Sequence, residues 1–169
     1  MSAAVRAPDL RFLFAHPAHL IACGFGSGLS PYAPGTFGTL FAWMSFLTID
    51  RMLSGVPLLV FLLAAFVIGV VACERTGRAL GVIDHGSIVW DEIVPFWMVL
   101  AIAPAGWQWQ LAAFVLFRFF DIVKPAPANY FDEKVKNGFG VMMDDVVAAF
   151  YTLLALAAGK RLLQAVDWL

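Results

Sequence analysis

Six carboxylates stand out in a chain that otherwise avoids charge: Asp84, the pair Asp91 and Glu92, Asp121, and the pair Asp144 and Asp145. They are half of the 12 acids in 169 residues that are 62% hydrophobic and 14% charged, and they gather at the ends of apolar runs. A carboxylate at a membrane edge is costly unless something offsets it. The usual offset is a cation, and a cluster of hard oxygens suits Mg²⁺. The pattern points to a metal-dependent enzyme whose substrate lies at a membrane surface.

The acids sit in three motifs, each of which also has a plainer explanation. In DHGSIVWDE (residues 84–92) a helix puts Asp84, Ile88, Asp91 and Glu92 near one face, with His85 one step away. Plainly read, Asp91 and Glu92 only favour the positive end of a helix dipole. His85 is a candidate general acid or, more simply, a supporting or surface residue. In FRFFDIVKPAPANYFD (117–132) Arg118, Asp121 and Lys124 recur every third residue and share a helical stripe. That stripe is either a ladder of internal ion pairs or a phosphate-facing edge, with Arg118 and Lys124 on phosphate oxygens and Asp121 on metal. Pro125 and Pro127 end the helix. In NGFGVMMDDVVAAF (137–150) Asn137 and Gly138 make a turn and Asp144 and Asp145 open the last helix. One Asp would suffice as a cap, so a second favours metal binding.

A fourth segment, CGFGSGLSPYAPGTFGT (23–39), reads as a loop. It has neither the dinucleotide-binding glycine spacing nor the Gly-Lys-Ser/Thr of a P-loop. Its backbone N–H groups, with the hydroxyls of Ser30 and Thr36, could meet an anion. As a plain alternative it is a flexible interfacial loop.

The elements that must position these residues are hydrophobic helices. A mean hydropathy of +0.83 lies far above that of a soluble globular domain. Apolar runs give five candidate helices, roughly 37–50, 56–73, 92–104, 107–123 and 145–163. Only 56–73 is a clear span, since a perpendicular crossing takes about 20 residues. Pro95 is expected in the first turn of the third helix, where proline is tolerated. The fold class is therefore all-α: a membrane-embedded bundle of about four to five helices. Its domains are an N-terminal amphipathic segment (1–22), one embedded catalytic domain (23–163) and a short tail (164–169). Tryptophans lie mostly near segment ends, as interfacial belts do.

With five spans, one side carries Arg6, Arg11, Arg75, Arg78, Arg118, Lys124, Lys134 and Lys136, and the other carries Arg51, Lys160 and Arg161. The first side is expected to be cytoplasmic, and every acidic motif is on it. The net charge of −1 gives no support to a nucleic-acid partner. Cys23 and Cys73 have no CxxC spacing, so neither a zinc site nor a disulfide framework is expected. The N-terminus lacks the long apolar core of a secretory signal.

The runs GFGSGLSPYAPGTFGTL, DHGSIVWDEIV and FRFFDIVKPAPANYFDEKVKNGFGVMMDDVVAA, in that order over residues 20–150, resemble the phosphatidylglycerophosphatase A family. The resemblance implies a multi-pass lipid phosphatase of the bacterial inner membrane, with its active site on the cytoplasmic side. It would use Mg²⁺ to convert phosphatidylglycerophosphate into phosphatidylglycerol and phosphate. The DxDx(T/V) start of haloacid-dehalogenase phosphatases is absent, as are the SGH and SRxxxxxH motifs of histidine-nucleophile lipid phosphatases. The expected metal ligands are Asp91, Glu92, Asp121, Asp144 and Asp145, with Asp91, Glu92, Asp121 and Asp145 as the catalytic set. Ser30, Thr36, Arg118 and Lys124 are the expected phosphate contacts. The nucleophile stays open between water and an aspartate.

Three other classes compete, of which a structural membrane scaffold would not require this density of acids beside Arg118 and Lys124. A phosphatidyltransferase acting on a CDP-linked lipid also takes paired Asp and Mg²⁺, but its DGxxAR…GxxxDxxxD pattern is absent. A transport protein would place its acids in mid-membrane rather than at one face.

Overall fold

The computed structural model describes residues 8–166. Among the described residues there are eight α-helices, a 3₁₀ segment at Gly24–Leu29 and no strand. The helices are α1 (Leu10–Ala15), α2 (Pro17–Ala22), α3 (Pro34–Met52), α4 (Gly55–Leu80), α5 (Trp90–Ile102), α6 (Trp107–Val123), α7 (Ala128–Lys134) and α8 (Gly138–Val166). All five expected helices are present, and α4 and α8 are much longer than their apolar runs.

Local chemistry explains most boundaries. Asp9 Oδ1 accepts the Phe12 N–H at 2.8 Å and caps α1. His16 Nδ1 accepts from the Ala18 N–H at 3.0 Å and Pro17 opens α2, so the expected amphipathic segment is two short helices joined at a bend. Residues 1–7 of that segment lie outside the described residues. The helix α4 stops at Gly81, whose φ of 85° is open mainly to glycine. Asn137 Oδ1 accepts the Gly140 N–H at 2.9 Å and starts α8.

The helix α5 is the axis of the molecule, packed by α3, α4, α6 and α8. Ile93, Val94, Phe96 and Val99 on it are fully buried. Neighbouring contacts set the directions. Trp97 Nε1 donates to the Ala42 carbonyl at 3.0 Å, so α3 runs alongside α5. Trp90 Nε1 donates to the Ala65 carbonyl at 3.0 Å, so α4 runs against it. Arg118 reaches Glu92 from the far end of α6, so α6 also runs against it. The start of α5, the ends of α4 and α6, and the starts of α3 and α8 thus share one end of the bundle.

Several expectations change. Trp90 and Trp97 are buried hydrogen-bonded core residues, not members of an interfacial belt, because the bundle offers their N–H groups helix carbonyls. Residues 84–89 form turns, so Asp84 shares no helix face with Asp91. The helix α5 begins at Trp90, which puts Pro95 in its second turn; a proline there denies the Asp91 carbonyl its helical donor. The glycine-rich segment is not all loop: it contains the 3₁₀ segment and the first turn of α3. The helix α8 also runs past the expected domain end at 163, into the tail as far as Val166.

Among the described residues two helices are long and apolar enough to cross a membrane, Gly55–Leu80 and Gly138–Ala165. The outward face of α4 is a stripe of exposed Val56, Leu59, Val60, Leu63, Val67 and Val71.

Candidate active site

The acids of all three motifs meet at the shared end of the bundle, around two cations. Arg118, one turn before the end of α6, is the first. Its Nη1 lies 3.0 Å from Glu92 Oε1 and 2.5 Å from Asp121 Oδ2. The three side chains are 16%, 13% and 11% exposed, so this is an enclosed triad. The i,i+3 spacing of Arg118 and Asp121 sets one contact, and the antiparallel packing of α5 on α6 sets the other.

The glycine-rich segment shapes this triad by absence of side chain. A Cβ on Gly35 would strike the Glu92 carboxylate and come within 2.9 Å of Arg118 Nη1. A Cβ on Gly38 would stand 2.6 Å from Val89 Cβ and 3.1 Å from Glu92 Oε2. Only glycine lets the first turns of α3 lie this close to the acids.

Lys124 is the second cation. It ends α6 in a left-handed conformation, φ 46°, which turns it off the helical stripe. Its ammonium pairs with Asp144 and lies 3.5 Å from Asp132 Oδ1. Asp84, Asp132 and Asp144 each bring a carboxylate oxygen within 4.8 Å of the other two. Burial alone lowers the Lys124 pKa, but Asp144 and Asp145 more than reverse this, so the ammonium stays charged. At the rim, desolvation pushes the Asp84 carboxyl up; Lys124 opposes the shift and Asp132 reinforces it.

Asp91 and Asp145 lie within electrostatic reach of acids of both centres. Both are buried, and Asp145 lies within electrostatic reach of Asp121, Asp144, Asp91 and Glu92. Asp91 Oδ1 takes the Glu92 N–H at 3.1 Å, and Asp144 Oδ1 takes the Asp145 N–H at 3.0 Å. Three buried polar atoms have no partner among the described residues: Glu92 Oε2, Asp145 Oδ1 and Arg118 Nε.

The structure therefore brings together Asp91, Glu92, Asp121, Asp144, Asp145, Arg118 and Lys124 from the sequence-derived set. Ser30 is used locally: its hydroxyl donates to the Tyr32 carbonyl at 2.8 Å. Thr36 lies beside Gly35 in the first turn of α3, half-buried, with no side-chain hydrogen bond among the described residues. Asp144 and Asp145 stand in the second turn of α8, not at its start, and Asn137 does the capping, which removes the plain explanation for the pair. Sequence reasoning grouped Asp84 with the recurring acids but left it out of the ligand set, and overlooked Asp132. Each is the outermost residue of its motif, which is the only linear signal it gives. His85 is half-buried and its Nδ1 accepts the Ser87 N–H at 3.2 Å, a local turn contact.

Seven carboxylates against two cations leave an excess of five negative charges if all are ionised. Asp91, Asp121, Asp144 and Asp145 among them are buried, and buried carboxylates without compensation are strongly unfavourable. The donor set is all oxygen, and two buried carboxylate oxygens lack any donor. A hard divalent cation fits these residues.

A sequence profile described as "PgpA: Phosphatidylglycerophosphatase A" matches residues 20–160. The chain is 51% identical over 144 residues to phosphatidylglycerophosphatase A of Haemophilus influenzae, covering 85% of this chain and 88% of that protein. It is 45% identical over 139 residues to phosphatidylglycerophosphatase A of Escherichia coli, covering 82% and 80%. A Bacteroides thetaiotaomicron protein, 40% identical over 149 residues (83% and 92%), carries a provisional name as a phosphatidylinositol-3-phosphatase. No solved structure matches. With profile and relatives covering most of its length and all three acidic motifs, the chain belongs to the phosphatidylglycerophosphatase A family of phosphatases.

Proposed function

We propose that this enzyme is a Mg²⁺-dependent lipid phosphatase that hydrolyses the terminal phosphomonoester of phosphatidylglycerophosphate to phosphatidylglycerol and phosphate. It works at the cytoplasmic face of a bacterial inner membrane, with four to five embedded helices. The observation that carries the chemistry is the cluster of seven carboxylates around Arg118 and Lys124, with Glu92 Oε2 and Asp145 Oδ1 buried and unpaired. The family relatives supply the substrate. The exposed apolar stripe of α4 supports the membrane, since a soluble monomer rarely leaves so large an apolar face bare. The excess of basic residues on the acidic side supports its orientation.

Phosphate monoester hydrolysis is among the slowest uncatalysed reactions, so charge stabilisation and positioning must supply most of the barrier reduction. Asp91, Glu92, Asp121, Asp144 and Asp145 would hold Mg²⁺, with Asp84 and Asp132 completing the rim. Bound there, Mg²⁺ supplies charge neutralisation to the phosphate oxygens and acidifies water. Arg118 Nε is a buried donor with no partner and is the group best placed to take a phosphate oxygen. Lys124 offers a second, and Thr36 with the N–H groups at the start of α3 would add further donors. In the net reaction, a water oxygen bonds to phosphorus, the phosphorus–oxygen bond to glycerol breaks, and the released hydroxyl gains a proton. A cluster carboxylate takes the proton that water loses. The diacylglycerol part stays in the leaflet.

The test is phosphate release from phosphatidylglycerophosphate by the purified protein, with Mg²⁺ and with EDTA. Release that EDTA stops and Mg²⁺ restores is expected. No release from folded, Mg²⁺-supplied protein would overturn the assignment. Phosphatidylinositol 3-phosphate is the comparison substrate, and faster turnover of it would reassign the headgroup.

A further inference from the structure

Outside the acidic cluster, a cleft of about 500 Å³ lies between the last third of α4 and the start of α8. None of the seven carboxylates lines it, nor do Arg118 and Lys124. The α4 wall passes from apolar Val70 and Val71 to Glu74, Arg75 and Arg78 one to two turns on, and Asn137, Gly138 and Phe139 at the start of α8 make the other wall. We infer that this cleft binds a phospholipid with an anionic headgroup, separately from the substrate. The inference rests on the membrane-embedded reading of α4.

The site is built from close backbone packing. A Cβ on Gly138 would meet the Val70 carbonyl and lie 2.8 Å from Glu74 Cβ, so glycine brings α8 onto α4 here. Glu74 Oε2 then accepts the Gly138 N–H at 2.5 Å, and Glu74 Oε1 pairs with Arg78 Nη2 at 2.5 Å. Both oxygens of the only acid in the cleft are thereby occupied. Arg75 makes no ion pair among the described residues, so the wall keeps a net charge of +1 from two arginines and one glutamate. Guanidinium groups bind phosphate oxygens through paired N–H donors, and basic residues at a helix end attract anionic lipid.

Position supplies the second half of the fit. The apolar run of α4 ends at Cys73, so the arginines stand where a spanning helix reaches the headgroups. Exposed Val71, Val67 and Leu63 continue from the cleft along α4 and offer an acyl chain a dry path. A free phosphate would use only the arginines, whereas an anionic lipid also uses the apolar lining.

Two measurements test the site on the full chain. First, alkaline carbonate extraction of membranes should leave the protein in the pellet; release would overturn the embedding and the lipid site with it. Second, native mass spectrometry in neutral detergent should follow phosphatidylglycerol and phosphatidylcholine of matched chains. The expected result is one phosphatidylglycerol held about tenfold more tightly than phosphatidylcholine. Arg75→Gln with Arg78→Gln should abolish that preference and keep Mg²⁺-dependent phosphate release within twofold. Val71→Trp, which fills the cleft and keeps the charge, should also lose the lipid. Asp145→Asn should retain it. Equal binding of the two lipids, or wild-type retention in the double variant, overturns the site while leaving the membrane reading intact. Loss of the lipid in Asp145→Asn would put it in the active site instead.

Discussion

The two cationic centres of the cluster are built differently. Arg118 is held between two acids on helices α5 and α6, with all three side chains under one-fifth exposed. Lys124 is held by Asp132 on the short helix α7 and Asp144 on α8; Lys124 and Asp132 are 28% exposed, and Asp144, at 4%, is the one enclosed member. Asp84 joins it from a loop. The Arg118 centre is set by helix packing and closed by glycines of α3. The Lys124 centre is set by three connections that converge on the rim. An enclosed ion pair is costly to break because its partner stays buried, whereas a rim pair can be rescued by water. The inner centre should therefore govern stability and chemistry together, and the outer one should govern ion and substrate entry.

The largest expected effect is at the inner centre. Arg118→Met leaves Glu92 and Asp121 buried without their cation and should destabilise the fold by about 3–5 kcal/mol, the range for breaking a buried pair. Lys124→Met should lower the melting temperature in detergent less, because it leaves one buried acid, Asp144, without its cation rather than two, while Asp132 stays open to water. Equal losses would erase the distinction between the centres.

Asp145→Asn separates stability from activity. Phosphate release should fall on the order of 10²–10³-fold, as when a transition-state charge contact is lost. Without Mg²⁺ the variant should melt at or above the wild-type temperature, because an unpaired buried charge has gone. A lower melting point with normal activity would make Asp145 structural.

Gly35→Ala tests how tightly α3 closes the inner centre. The methyl meets the Glu92 carboxylate, and displacing it should lower stability by about 1–3 kcal/mol and slow turnover with it. An unchanged variant would show that α3 has room to move.

The smallest effects belong to the rim. Asp84→Asn and Asp132→Asn should each raise the Mg²⁺ concentration for half-maximal activity about tenfold, the low end for groups that support a metal site. Little change in maximal rate is expected. A collapse of maximal rate would move these acids from the rim into the reaction itself.

The inner centre was largely legible in the sequence. Asp91, Glu92, Arg118 and Asp121 lie on strong apolar helices, and an i,i+3 spacing survives in any helix. The outer centre was not. Lys124 continues the Arg118–Asp121 stripe in the sequence, yet a left-handed φ of 46° swings it toward α7 and α8. Asp132 gave no periodic signal, since α7 has only seven residues. In the sequence the glycine-rich segment reads as a loop, either anion-meeting or simply interfacial; what the structure adds is that Gly35 and Gly38 let α3 approach Glu92.

By itself, the sequence determined that the chain is helical, strongly apolar, and equipped with recurring acids beside two cations. Composition, hydrophobic runs and short spacings are local properties, and they persist in any packing. Only the tertiary structure decided which acids share a cation, that Asp84 and Asp132 join the cluster, and that Trp90 and Trp97 belong to the core. Those outcomes depend on helix directions and on loop residues far apart in the chain, and no local spacing encodes the distance between them.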